Sequence, residues 1–167
     1  MKRVFVIRHA EAEEPIEAAK ARRNDAARRL TEAGTRDMRK GARGLAALID
    51  EMDLILSSPL VRAMQTAEIL HGAFPKAELR EEKLLSPGFD PGELLDAVAG
   101  EAGPIALVGH EPDLSQWVGY MTTGSPRSLV RMKKGSVCRL DLESGIAAGE
   151  AQLAWLLTLK QLSRLAP

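Results

Sequence analysis

Three short apolar runs, Val4-Phe5-Val6-Ile7, Leu54-Ile55-Leu56 and Pro104-Ile105-Ala106-Leu107-Val108, are each followed by a polar turn and a helix-length stretch. Strands that are apolar throughout, rather than alternating, are buried on both faces, as in parallel sheets covered by helices. The stretches between them carry helical signals. Thr31 is placed to cap a helix opening at Glu32, with Met38, Ala42, Leu45 and Ile49 as its apolar stripe. Ser58, with Pro59 at the first helical position, is expected to cap a second helix carrying Leu60, Ala63, Ala67 and Leu70. A short strand is expected near Ala77-Glu78-Leu79, and Asp90-Pro91-Gly92-Glu93 has capping-box spacing before Leu94, Leu95 and Val98. Pro112 opens a further helix with Leu114, Trp117, Val118 and Met121 on one face. Two strands, 136–142 and 152–157, close the pattern through Ser144-Gly145. The order predicts an α/β fold of three layers, a mostly parallel central sheet with helices on both faces.

The 167 residues, without a linker or internal repeat, suit a single domain spanning 1–167. The 23 basic residues balance 23 acidic ones, so charge gives no support for nucleic-acid or membrane-surface binding. One cysteine, Cys138, excludes an internal disulfide and fits a reducing compartment. Its strand-like setting marks it as a packing residue. No signal peptide or membrane span is visible, and a soluble cytoplasmic protein is expected.

Function is concentrated at the strand ends. Arg8-His9-Ala10 follows the first strand, Gly109-His110-Glu111 follows the third, and Arg62 falls in the first turn of the helix after the second. Ligands bind outside the carboxyl ends of parallel strands, so two arginines and two of the three histidines converge on one rim. Guanidinium forks beside imidazoles suit a phosphoryl group. A zinc site from both histidines and Glu111 is the competing reading, but the arginines would repel a dication, and no metal is expected. Ala10 is small enough for backbone to pass close to a phosphate. Arg22, Arg23, Arg28 and Arg29 form a basic run close enough to fold over the site. His71, at a helix end before Gly72, is given no role.

Arg8-His9-Ala10, the segment Ser57-Ser58-Pro59-Leu60-Val61-Arg62-Ala63-Met64-Gln65-Thr66-Ala67 and Val108-Gly109-His110 resemble the three core motifs of the histidine phosphatase superfamily. That superfamily includes the cofactor-dependent phosphoglycerate mutases. The closer resemblance is to its short branch, the phosphohistidine phosphatases of the SixA type. It is carried by Arg8-His9-Ala10-Glu11-Ala12, by Asp25-Ala26-Ala27-Arg28-Arg29-Leu30-Thr31 with Gly34, and by Lys134-Gly135-Ser136 and Trp155-Leu156-Leu157.

The resemblance implies a phosphoglycerate mutase-like fold and His9 as a nucleophile that becomes phosphorylated. It makes Arg8, Arg62 and His110 the rest of the phosphate pocket, with no cofactor. The expected substrate is phosphohistidine on a protein, such as a histidine-phosphotransfer protein. Two alternatives are a general phosphomonoesterase acting on a small metabolite and a non-catalytic phospho-ligand module. Larger members carry a proton-donating glutamate between the second and third motifs. Here Glu81, Glu82 and Asp90 occupy that stretch without a clear match, and Glu11 and Glu111 adjoin the site in sequence.

Overall fold

In a computed structural model describing residues 1–167, six strands form one sheet in the order β3-β2-β4-β1-β5-β6. These are β1 (Lys2–Arg8), β2 (Leu54–Ser57), β3 (Glu78–Glu81), β4 (Ile105–Gly109), β5 (Val137–Leu142) and β6 (Gln152–Leu157). The first four run parallel, and β5 and β6 are antiparallel additions on the β1 side. The expected mostly parallel sheet is observed.

The alternation within β1 shows why the chain needs two helical layers. Phe5 and Ile7 enter one core, beneath α2 (Glu32–Leu48) and α3 (Val61–Ala73). Val4 and Val6 enter a second core, beneath α4 (Pro91–Ala99) and α5 (Asp113–Thr123). All four side chains are inaccessible to solvent. The α2 stripe Met38, Ala42, Leu45 and Ile49 is buried, as is the α5 face Leu114, Trp117, Val118 and Met121. Cys138 packs inside the second core, where burial pushes its thiol up to about 12.

Side-chain caps define three of the six helix starts, those of α2, α4 and the C-terminal helix. Thr31 accepts from the Gly34 N–H at 2.9 Å, and Asp90 accepts from Gly92 and Glu93. The helix expected to open at Pro59 behind a Ser58 cap begins instead at Val61, after a bend at Pro59 and Leu60, with Leu60 in an extended conformation at the cap position. Arg62 still lies in its first turn. At the other end α3 runs through Gly72 to Ala73, and the Phe74 N–H closes it onto the Leu70 carbonyl. The stretch after β1 holds the short helix α1 (Pro15–Lys20) and a 3-10 turn, Asp25–Ala27.

The sequence reading assigns no element after β6, yet Leu159–Leu165 forms a helix, α6. Thr158 and Gln161 make a reciprocal capping box, and Leu162 is fully buried. It lies against α2 where that helix carries Gly41 and Gly44. A Cβ on Gly44 would fall 1.8 Å from the Leu162 carbonyl oxygen, so only glycine permits this approach. No helix is long and apolar enough to cross a membrane.

Candidate active site

Sheet register assembles the site. Arg8 pairs with Gly109 across the parallel β1–β4 ladder, so His9 and His110 leave neighbouring strands side by side. The His9 N–H donates to the Gly109 carbonyl at 3.1 Å, and the two imidazole rings lie 5.3 Å apart. On the far side of β4, the Ser58 N–H donates to the Val108 carbonyl at 3.0 Å, bringing the β2 end and α3 to the same rim. Arg8, His9, Arg62 and His110 line one cavity of about 410 Å³.

His9 is only 6 % exposed. Its Nδ1 lies 2.7 Å from the Ala10 carbonyl oxygen. A carbonyl can only accept, so the proton sits on Nδ1 and Nε2 keeps its lone pair. Burial lowers the His9 pKa to about 3, with His110, Arg62 and Arg8 adding charge repulsion, and the ring is neutral at pH 7. His110 is lowered to about 4, first by burial and then by Arg62. Its Nε2 lies 2.7 Å from Ser58 Oγ. That hydroxyl oxygen accepts from the Leu60 N–H at 3.3 Å and is free to donate its hydrogen to Nε2, the arrangement in which the His110 proton sits on Nδ1. Ser58 is therefore the residue that orients His110, in place of the expected helix cap.

Both arginines are anchored along one edge. Arg8 Nη1 donates to the Met132 carbonyl at 2.9 Å. Arg62 Nη1 donates to the Asp25 carbonyl at 2.8 Å, and Nη2 lies 3.4 Å from the Asp25 carboxylate. Thr66 ties this arginine's turn to the His9 loop: its hydroxyl accepts from the Ala10 N–H and donates to the Arg62 carbonyl. Arg8 Nε, Arg62 Nε and His110 Nδ1 are buried without partners. Buried donors are normally satisfied, so this concentration of unfilled ones suits a multiply charged oxyanion.

The five candidate acids separate. Glu82 accepts from the Leu84 N–H in a 3-10 turn (Lys83–Leu85), and Asp90 is spent on the α4 cap. Glu81 is exposed at the end of β3. Glu11 lines an adjoining cavity of about 620 Å³ rather than the one holding His9. Glu111 lines both cavities, with its carboxylate accepting from the Ser115 N–H and hydroxyl. Two further carboxylates line the His9 cavity: Glu14, which nothing in its sequence setting marks, and Asp25, which stands in a segment that carries the family resemblance but has no role assigned from sequence. Of the basic run, Arg28 alone reaches this cavity. Arg23 pairs with Glu13, while Arg22 and Arg29 remain exposed.

An open α/β sheet that presents two buried histidines and two anchored guanidinium groups at its carboxyl edge has the phosphoglycerate mutase-like fold. Residues 4–86 match the model of the histidine phosphatase superfamily (branch 1). An uncharacterized protein of Picosynechococcus sp. is 33% identical over 156 residues, covering 89% of this chain and 88% of that one. The protein histidine phosphatase SixA, solved with tungstate, superposes with a TM-score of 0.81 at 23% identity, over 96% of this chain and 99% of its own. A phosphoserine phosphatase from Entamoeba histolytica, solved with 3-phosphoglyceric acid, gives 0.63 at 18% identity, over 97% and 100%. The chain belongs to the histidine phosphatase superfamily.

Proposed function

We propose that this chain, as one domain spanning 1–167, is a metal-independent phosphatase that removes phosphate from phosphohistidine on a protein. The observation that carries the reading is the state of His9: Nδ1 is held by the Ala10 carbonyl and Nε2 retains its lone pair among cationic side chains. A neutral imidazole is a competent nucleophile toward phosphorus. Arg8 and Arg62 hold the non-bridging oxygens, and His110 Nδ1–H donates to one of them. Two guanidinium groups supply the positive charge that a metal would otherwise bring. Water then hydrolyses the phosphorylated His9.

Two features support a macromolecular substrate. The His9 cavity shares Arg8, Glu111 and Lys134 with the larger cavity, which continues along Arg131 and Lys133. The two together form an extended polar trough rather than an enclosure fitted to one sugar phosphate. A phosphohistidine leaving group also needs little help, since its free ring nitrogen takes a proton from water, and none of the five candidate acids has to be dedicated to it. The single buried thiol is in keeping with a cytoplasmic location.

The covalent step tests the reading. Mixing with a phosphohistidine peptide in excess chelator should place acid-labile, base-stable phosphate on His9, and His9→Ala should abolish both label and turnover. Unchanged turnover in His9→Ala, or activity that disappears with chelator and returns with zinc or magnesium, would overturn it.

A further inference from the structure

A cavity suited to a phosphoryl dianion contains a carboxylate set against one of its own phosphate-holding arginines. Asp25 Oδ2 lies 3.4 Å from Arg62 Nη2, and Oδ1 is 3.0 Å from Arg28 Nε. The Asp25 side chain is nevertheless 63% exposed, whereas that of Arg62 is 5% exposed. Anchoring does not require this charge, because the Asp25 backbone carbonyl already accepts from Arg62 Nη1 at 2.8 Å. The negative charge repels every phosphate that enters. Among the other carboxylates of the cavity, Glu111 is engaged by Ser115, and Glu14 makes no ion pair. Asp25 alone combines an arginine-fixed position with a face open to the entering substrate.

We propose that Asp25 reads the charge of the leaving group: it accepts a hydrogen bond from the protonated distal ring nitrogen of phosphohistidine and repels substrates that carry a carboxylate near the phosphoryl group. This rests on the phosphatase reading above and names what selects its substrate. In the step concerned, the His9 Nε2 lone pair forms the new N–P bond while the substrate P–N bond breaks. That electron pair returns to the leaving ring nitrogen. The distal nitrogen keeps the proton it took from water, so the leaving group departs as neutral imidazole. His9 retains its Nδ1 proton toward Ala10 and carries the phosphoryl group and the positive ring charge. A carboxylate at the mouth stabilises the protonated, reactive form of the substrate. The same charge disfavours an acidic neighbour such as the carboxylate of 3-phosphoglycerate.

The test compares kcat/KM of the wild type, Asp25→Asn and Asp25→Glu on a phosphohistidine peptide, phenyl phosphate and 3-phosphoglycerate. The exposed position on a 3-10 turn should leave the thermal midpoint of each variant close to wild type. Asp25→Asn should lose about ten- to a hundredfold on phosphohistidine, the scale of a charge-assisted hydrogen bond, while phenyl phosphate changes by less than about threefold. It should gain on 3-phosphoglycerate, and Asp25→Glu should restore the wild-type order. Equal losses on all three substrates would reduce Asp25 to an anchor of Arg62 and overturn the proposal. A wild type inactive on phosphohistidine but active on phenyl phosphate would sink the protein-substrate reading and the leaving-group contact with it. A gain by Asp25→Asn on 3-phosphoglycerate would still establish the charge filter in that case.

Discussion

In the proposed reading His9, His110, Arg8 and Arg62 cooperate because each spends one edge on the protein and keeps another for the ligand. Arg62 is the clearest case, with Nη1 and Nη2 turned to Asp25 and Nε left without a partner. Arg62→Ala and Arg8→Ala should each lower kcat by about a hundredfold or more, the usual scale for removing a preorganised charge from a transition state. Lysine should restore only a small part, since an ammonium cannot donate in the planar fork. A rise in KM with kcat unchanged would reduce the arginine to a ground-state contact. These four residues are legible in the sequence because each follows a buried apolar strand or opens the helix after one. Asp25, Glu14 and Thr66 are not. Glu14 sits in polar, alanine-rich sequence indistinguishable from a solvated loop, while Asp25 and Thr66 stand in segments that carry the family resemblance but whose spacing alone does not show what their side chains touch. Only the folded chain shows that they reach His9 and Arg62.

Among the elements, α6 and the α3 start are where local sequence and structure part company. Ser58-Pro59 has the composition of a helix opening, but tertiary demand prevails: the Ser58 hydroxyl is taken by His110, and the helix starts at Val61 rather than Pro59. The α6 helix leaves one local signal, the Thr158–Gln161 capping-box spacing, but seven residues cannot hold a helix unaided and its stability comes from docking on α2. Glycines give a paired test. Gly44→Ala drives a methyl into the Leu162 carbonyl and should lower stability by about 1–3 kcal/mol, the cost of overpacking a close-packed contact. Gly72→Ala, in the last turn of α3 with nothing within 4 Å of its Cβ position, should raise stability by up to about 1 kcal/mol through helix propensity. Denaturant midpoints moving in opposite directions would support the docking geometry, and a stabilised Gly44→Ala would refute it.

For the whole molecule, two buried neutral histidines make stability depend on pH. Burial lowers His9 to about 3 and His110 to about 4, both from an ordinary value of 6.5. Above pH 6.5 neither state binds these protons, and stability is unaffected. Below it the unfolded chain protonates while the folded chain resists, so stability falls as pH drops from 6.5 toward 4. The thermal midpoint should decline through that window, and the double variant His9→Asn/His110→Asn should decline less. An equally steep fall in the double variant would assign the effect to the carboxylates. Inorganic phosphate should raise the wild-type midpoint with the logarithm of its concentration above Kd and leave the double variant largely unmoved.

The strand order carries one last consequence. β1 precedes the other strands of the sheet in the chain, yet its two partners lie far downstream: Val4 pairs with Ile105 on one side and with Leu140 on the other. The nascent chain must carry an apolar ribbon with both edges bare while some hundred further residues are made. Contacts so distant in sequence slow folding, and unpaired edges invite association with other chains. Until β4 arrives, His9 has no His110 beside it. The proposed site is therefore split across the length of the chain, and a chain interrupted before residue 110 would hold only one histidine of the pair and neither partner strand of β1.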